Sequence, residues 1–214
     1  MKIFYYNELS STQKYLKELI KNKNIELPIA VVCDIQTAGV GSRDNDWQSY
    51  NGNLFLSFAI ELNDLPLDLK LESSSIYFAY ILKETLQELN SQTWLKWPND
   101  FYNENLKIGG MITNVVNNKL ICGVGLNLVN SPSKFTILDI KIDRKELIKK
   151  YFIKIEKKPL WKQIFSKYKL EFHKNREYFA HINDLKISLK NVELCYDGSI
   201  VSNGKRMYSL RWVK

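Results

Sequence analysis

Cysteine and histidine are scarce in this 214-residue chain, which has three cysteines (Cys33, Cys122, Cys195) and two histidines (His173, His181). The cysteines are odd in number and widely spaced, with no CxxC pair, so neither a disulfide framework nor a zinc site is supported. They are expected as reduced, buried small hydrophobes. Long apolar runs are also missing: stretches such as Leu54 to Ile60 fall far short of the ~20 residues of a membrane-spanning helix. The amino terminus has no apolar signal segment, so a soluble, cytoplasmic protein with no membrane partner is expected. Arginine is the third scarcity, with Arg43, Arg144, Arg176, Arg206 and Arg211 the only ones beside a majority of lysines. Sequence-reading nucleic-acid interfaces favour the bidentate fork of arginine, which argues against a dedicated reader. Internal repeats and low-complexity tracts are absent as well.

What is present is an ordinary globular composition, 45% hydrophobic, 13% aromatic and 25% charged. The length suits one main domain plus an appendage. The formal net charge of +8 is compatible with nucleic acid, an anionic substrate or an acidic protein partner. Much of the lysine lies in 141–174, interleaved with Leu, Ile, Phe and Trp at helical spacing, as on the solvated faces of amphipathic helices.

Ser10, Ser11 and Thr12 precede Tyr15, Leu16, Leu19 and Ile20, so a hydroxyl caps a helix over roughly 12–22. Residues 28–35 read as a buried strand, 36–53 as a long Gly-containing loop anchored by Trp47, and 54–60 as a second strand. An amphipathic helix over 70–90 offers Ile76, Ala79, Tyr80, Leu82 and Leu86 to a core. A short strand, 93–97, is halted by Pro98, and the polar stretch 99–106 turns the chain. Two β-rich runs, 107–116 and 119–129, flank Asn117-Asn118 as a hairpin. Helices follow near 143–155 and 159–178, the latter with a stripe of Trp161, Ile164, Phe165, Tyr168 and Phe172. Short strands near 185–196, 199–202 and 205–212, broken at Asp197-Gly198 and Asn203-Gly204, form a small all-β appendage.

Three places carry candidate chemistry. The loop Gly39-Val40-Gly41-Ser42-Arg43 is either a surface turn or a backbone cradle for phosphate, and it is neither a Walker loop nor a dinucleotide fingerprint. Lys96-Trp97-Pro98-Asn99-Asp100 gathers a cation, an amide and a carboxylate at a strand end, where polar groups converge on ligands. Seven residues on, Lys107 precedes Gly109-Gly110, and glycines inside a strand imply a close approach to the backbone. Asn127, after Gly123-Val124-Gly125, is a strand-end turn residue or a polar ligand contact.

In order and spacing, Ser11-Thr12, Gln36-Thr37-Ala38-Gly39, Trp47, KWPND (96–100), Lys107-Ile108-Gly109-Gly110 and Gly123-Val124-Gly125-Leu126-Asn127 resemble the biotin protein ligases over nearly the whole chain. The resemblance implies an α/β (α+β) fold, a class II synthetase-like catalytic domain over 1–180 with a small SH3-like β domain over 181–214. It implies formation of biotinyl-5'-AMP from biotin and ATP with Mg²⁺, then transfer of biotin to a lysine of the biotin carboxyl carrier protein of acetyl-CoA carboxylase. Carried over residue by residue, Ser11, Thr12, Gln13 and Gln36 would bind the ureido ring, and Gly109 and Gly110 would let biotin lie on the strand. Gly39, Gly41, Trp47 and Lys107 would also border biotin. Val40, Ser42, Arg43, Trp47, Asn99, Lys107 and Asn127 would surround the nucleotide. Lys107, Arg43 and Asp100 form the catalytic set, with Asp100 orienting Lys107 or helping to hold Mg²⁺. Attack of a carboxylate on an α-phosphate joins two anions, so charge neutralisation and positioning suffice without a protein nucleophile, and the two histidines lie outside every block.

The sequence departs from the family in the loop 39–47, where Val40, Ser42 and Asn45 stand at the three arginine positions and Arg43 is the candidate substitute. Ten residues before the Ser-Thr pair leave no room for a winged helix, so a ligase without DNA as partner is expected, as a monomer or weak homodimer. The alternatives are a lipoate ligase or octanoyltransferase of similar fold, and, more distantly, a non-catalytic RNA- or protein-binding module, which leaves KWPND and Lys107 unexplained.

Overall fold

The computed structural model describes residues 1–22, 25–41, 46–182 and 185–208. Its frame is a seven-stranded mixed sheet in the order β1 (Lys2–Leu9), β2 (Ile29–Gln36), β5 (Leu54–Glu61), β9 (Lys119–Leu126), β8 (Leu106–Val116), β7 (Asp100–Asn103) and β6 (Trp94–Lys96). Only β1 and β2 run parallel. The apolar run of β5, Leu54 to Ile60, is buried on both faces, as its position inside the sheet requires.

Helix α1 (Thr12–Asn22) covers one face, placing Leu16 and Ile20 on Ile29, Val31, Ala59 and Ile121. Ser11 caps it: the Ser11 carbonyl accepts from the Tyr15 amide at 3.0 Å and its hydroxyl faces the Lys14 amide at 3.5 Å. The opposite face carries α2 (Ser74–Gln87), α3 (Arg144–Glu156) and α4 (Trp161–Glu171) over the main core. Asp143 caps α3 by accepting from the Glu146 amide at 2.9 Å. The expected stripe of α4 is buried as read, and the lysines of α3 and α4 lie largely outward.

Two expectations change. The polar stretch 99–106 does not simply turn: Asp100–Asn103 form β7, because Phe101 drops into the core while Tyr102, on the other face, packs on Trp94 and Tyr178. Helix α2 is not amphipathic, since it lies between the sheet and α3 and α4 and is buried almost all round. Its Lys83 is fully buried, ion-paired with Glu171 and bonded to the Tyr80 hydroxyl. The loop 36–53 contains a two-residue hairpin, β3 (Gly39–Val40) with β4 (Asp46–Trp47).

After α4 come two small sheets: β10 (Phe179–Ile182) with β11 (Leu185–Ser188), then β12 (Glu193–Leu194), β13 (Ile200–Ser202) and β14 (Lys205–Met207). A cut at 180 falls inside β10. The expected hairpin turns are present, with positive φ at Asn117 and Asn118 and at Asn203 and Gly204. The part of the expected strand 205–212 from 209 on lies outside the described residues. This strand-rich segment docks through three successive carbonyls: Tyr196 accepts from Trp161 Nε1 at 2.8 Å, Asp197 from Ser73 Oγ at 2.7 Å and Gly198 from Trp97 Nε1 at 2.8 Å.

Candidate active site

The α1 side of the sheet holds a cavity of about 210 Å³, lined by the first turn of α1, the hairpin β3–β4, and β5, β7, β8 and β9. Its floor is bare because Gly110 on β8 and Gly123 and Gly125 on β9 turn their missing side chains toward it. A Cβ at Gly123 would stand 3.3 Å from both Gln13 Nε2 and Ser57 Oγ, and one at Gly125 only 2.6 Å from Trp47 Cε2. The Trp47 ring therefore lies directly on the Gly125 backbone.

One end of the cavity is polar and its hydrogen-bond directions are fixed. The Thr12 amide donates to Gln36 Oε1 at 2.9 Å, so the Gln36 oxygen faces helix α1. The Thr12 hydroxyl also donates to that oxygen at 3.2 Å. With its proton committed, Thr12 Oγ1 accepts from Ser57 Oγ at 2.9 Å. Ser57 is left with lone pairs only, and the Gln36 amide with its N–H groups. Among the described residues, Gln13 Nε2, beside Gly123, is buried without a partner, and so is Trp47 Nε1. Unpaired buried donors are rare in folded proteins, and two lining one cavity mark places where a ligand accepts.

The other end is cationic. Lys107 Nζ lies 2.6 Å from Asp100 Oδ1, and Lys96 Nζ 3.6 Å from Asp100 Oδ2. Burial pushes the Asp100 carboxyl up, but Lys107 and Lys96 outweigh it and hold the group below the usual carboxylate range. Lys107 and Gly110 are three apart and would face opposite sides of a regular strand. A register shift opposite Phe101/Tyr102 inserts an extra residue in β8, and a bulge of this kind re-aims a side chain. It brings the Lys107 ammonium to within 3.5 Å of where a Gly110 Cβ would be. Asn99 fixes the strand end, its amide donating to the Met111 carbonyl and its own carbonyl accepting from the Met111 amide at 2.9 Å.

Of the residues singled out by sequence, Ser11, Thr12, Gln13, Gln36, Val40, Gly41, Trp47, Asn99, Asp100, Lys107 and Gly110 line this one cavity. Three do not. Gly109 faces the opposite side, where a Cβ would meet the Gly125 carbonyl at 2.4 Å and Leu126 Cδ1 at 2.8 Å, so it serves strand packing and leaves no surface for a ligand. Gly39 admits the Gln36 side chain and the Trp47 backbone. Asn127 is buried, donating to the Thr136 carbonyl at 3.2 Å and facing Asn53. Ser42, Arg43 and Asn45 lie outside the described residues.

Sequence reading marked Gly123 and Gly125 in a motif without giving them a place in the site, and it missed Ser57 and Asn53. Asn53 is fully buried, and its Oδ1 accepts from the amides of Leu128, Val129 and Asn130 at 3.0, 3.0 and 3.3 Å. His173 and His181 are exposed and away from the cavity. No cysteine lines it, and burial pushes the Cys33 thiol up to about 12, which leaves it unsuited to act as a nucleophile.

Asp100 does not fit a magnesium site, because each of its oxygens already faces a lysine ammonium. Among the described residues no group of three or more His, Cys, Asp or Glu stands close enough to hold a metal ion.

A mixed sheet carrying a bare-floored cavity, with a polar relay at one end and a lysine–carboxylate cluster at the other, defines an α/β protein with a candidate binding cavity along its strands. Residues 5–128 match the biotin/lipoate A/B protein ligase family, and the chain belongs to that family. It is similar to the biotin acetyl coenzyme A carboxylase synthetase of Helicobacter pylori, solved with biotinylated ATP bound. The two share 40% identity and a TM-score of 0.92, with 97% of this chain and 99% of the other covered. The biotin protein ligase of Aquifex aeolicus, in complex with biotin and ATP, is 25% identical with a TM-score of 0.79, covering 98% and 96%. The bifunctional ligase/repressor BirA of Bacillus subtilis is 30% identical over 173 residues, covering 73% of this chain and 53% of the relative. The chain spans about half the length of the curated relatives it matches. No helix among the described residues is long and apolar enough to cross a membrane.

Proposed function

We propose that this chain is a biotin protein ligase. In the first step the biotin carboxylate attacks the α-phosphorus of ATP, giving biotinyl-5'-AMP and pyrophosphate. In the second a lysine amine of a biotin carboxyl carrier protein attacks the acyl carbon and AMP leaves. The observation that carries this reading is the polarity of the cavity. At one end Ser57 offers an acceptor, with the donors of Gln36 and Gln13 beside it. That set suits a cyclic urea, whose N–H groups donate and whose carbonyl accepts. At the far end Lys107 receives the negative charge that accumulates where carboxylate and phosphate meet. Trp47 on Gly125 covers the apolar middle of the ligand and keeps water from the anhydride.

Magnesium enters as the counter-ion of the ATP phosphates, as part of that substrate. Loop 39–47 serves the nucleotide, with Arg43 in the role of the family's arginine, while Asn127, which does not line the cavity, supports the strand end. The seven-stranded sheet and its helices carry the chemistry, and the strands from β10 onward form the small β unit. The basic surface steers the acidic carrier, raising the on-rate more than the affinity.

A lipoate ligase or octanoyltransferase gains nothing from the fixed urea-matching polarity, since a dithiolane or hydrocarbon end leaves Gln13 Nε2 unpaired. The experiment is transfer of labelled biotin to a purified biotin carboxyl carrier domain with ATP. Label on the carrier lysine supports the reading; label on a lipoyl domain supplied with lipoate, and none from biotin, overturns it.

A further inference from the structure

Two lysines share one carboxylate at the cationic end, although only one of them reaches the cavity. Lys107 and Asp100 line it; Lys96 does not. Lys96 is 8% exposed, an unusual burial for lysine unless paired, and opposes Asp100 across the β6–β7 pair. Its ammonium lies 3.6 Å from Asp100 Oδ2 and 5.4 Å over the Tyr102 ring. The groups facing Asp100 are thus Lys96 from β6, Lys107 and the Gly110 backbone from β8, with the Tyr102 phenol on β7 itself.

A Lys107–Asp100 pair standing alone would be close to neutral and a weak magnet for a carboxylate meeting a triphosphate. With Lys96 the cluster carries one net positive charge. Lys96 also occupies the second carboxylate oxygen, so Asp100 cannot turn away from Lys107 and cannot offer that oxygen to a cation. We infer that Lys96 is a positioning residue for the activation step, acting through Asp100 to hold the Lys107 ammonium over the Gly110 floor, and that Asp100 serves the lysines and not magnesium. This inference rests on the ligase reading.

The test compares Lys96→Met, which keeps an unbranched apolar stem, with Lys96→Arg and Asp100→Asn, in biotin-dependent pyrophosphate release and in calorimetric biotin binding. In Lys96→Met kcat falls at least tenfold, while biotin affinity stays within twofold because the polar end rests on α1, β2 and β5. Lys96→Arg restores most of the rate. The magnesium concentration for half-maximal rate at saturating ATP is unchanged in Lys96→Met and in Asp100→Asn. Wild-type kcat in Lys96→Met overturns the inference, and so does an equal loss of kcat and biotin affinity, which is the mark of a general structural defect. An arginine variant no better than methionine, or a magnesium requirement that shifts in either variant, overturns it too. Absence of biotin-dependent pyrophosphate release from the wild-type protein overturns the ligase reading and this inference with it.

Discussion

Ser57→Ala tests the relay at the polar end. Ser57 is fully buried in the middle of β5 and donates to Thr12 Oγ1 at 2.9 Å. Removing its hydroxyl leaves Thr12 bonded to Gln36, so the fold loses one neutral hydrogen bond, a net cost of about 1 kcal/mol. The ligand fares worse, because a ureido N–H enclosed in the cavity loses its acceptor. Leaving a buried donor unpaired costs about 1–3 kcal/mol, which is a loss of affinity of about five- to 150-fold. Calorimetric titration with biotin measures it. Desthiobiotin, which keeps the urea and lacks the thioether, should lose affinity equally, whereas octanoate, with no urea, should bind the variant and the wild type alike. Biotin binding to Ser57→Ala at wild-type strength would refute the fixed polarity of the relay.

Three further outcomes follow from the geometry. Gly125→Ala should displace Trp47, whose ring a Cβ would meet at 2.6 Å, and should weaken biotin binding at least tenfold with little change in melting temperature; unchanged binding with Trp47 fluorescence unmoved counts against the lid. Glu171→Ala leaves the Lys83 ammonium buried and unpaired and should cost about 3 kcal/mol, whereas Lys83→Met, which removes the charge itself, should be near neutral; urea denaturation of both decides it. Burial pushes the Asp197 carboxyl up, but bonds from Ser199 and the nearby Arg206 and Lys70 hold it below its ordinary value. Its stabilisation is therefore present above the ordinary carboxylate pKa of about 3.9 and is lost as pH falls through the depressed one. Asp197→Asn should accordingly be less stable than wild type at neutral pH, with the gap narrowing as pH falls below the ordinary carboxylate range; a pH-independent gap contradicts this.

Much of the site was legible because its residues sit in local signals. Lys96 to Asp100 mark a strand end, and Ser11 and Thr12 mark a helix start whose first turn opens on the cavity. What was hidden depends on register and on faces. The shift at Phe101/Tyr102 decides that Lys107 and Gly110 share a side while Gly109 takes the other, and no spacing in the sequence reveals it. Ser57 had a signal, a lone hydroxyl in the apolar run Leu54 to Ile60, since a polar side chain buried in mid-strand needs a partner. Asn53 gave none, because its bonds run to amides more than seventy residues away. Strand β1 went unread although Ile3, Phe4, Tyr5 and Tyr6 favour strand; as a half-buried edge it lacks clean alternation. The helix over 70–90 read as amphipathic because helical spacing cannot show that α3 and α4 close over α2.

The most direct test of the central claim is pyrophosphate release from ATP by the purified protein, with biotin, lipoate or octanoate as the acid and Lys107→Ala as the blank. Release with biotin alone, abolished in Lys107→Ala, is the predicted result. Release with lipoate or octanoate and not with biotin, or release that survives the loss of Lys107, would contradict the account.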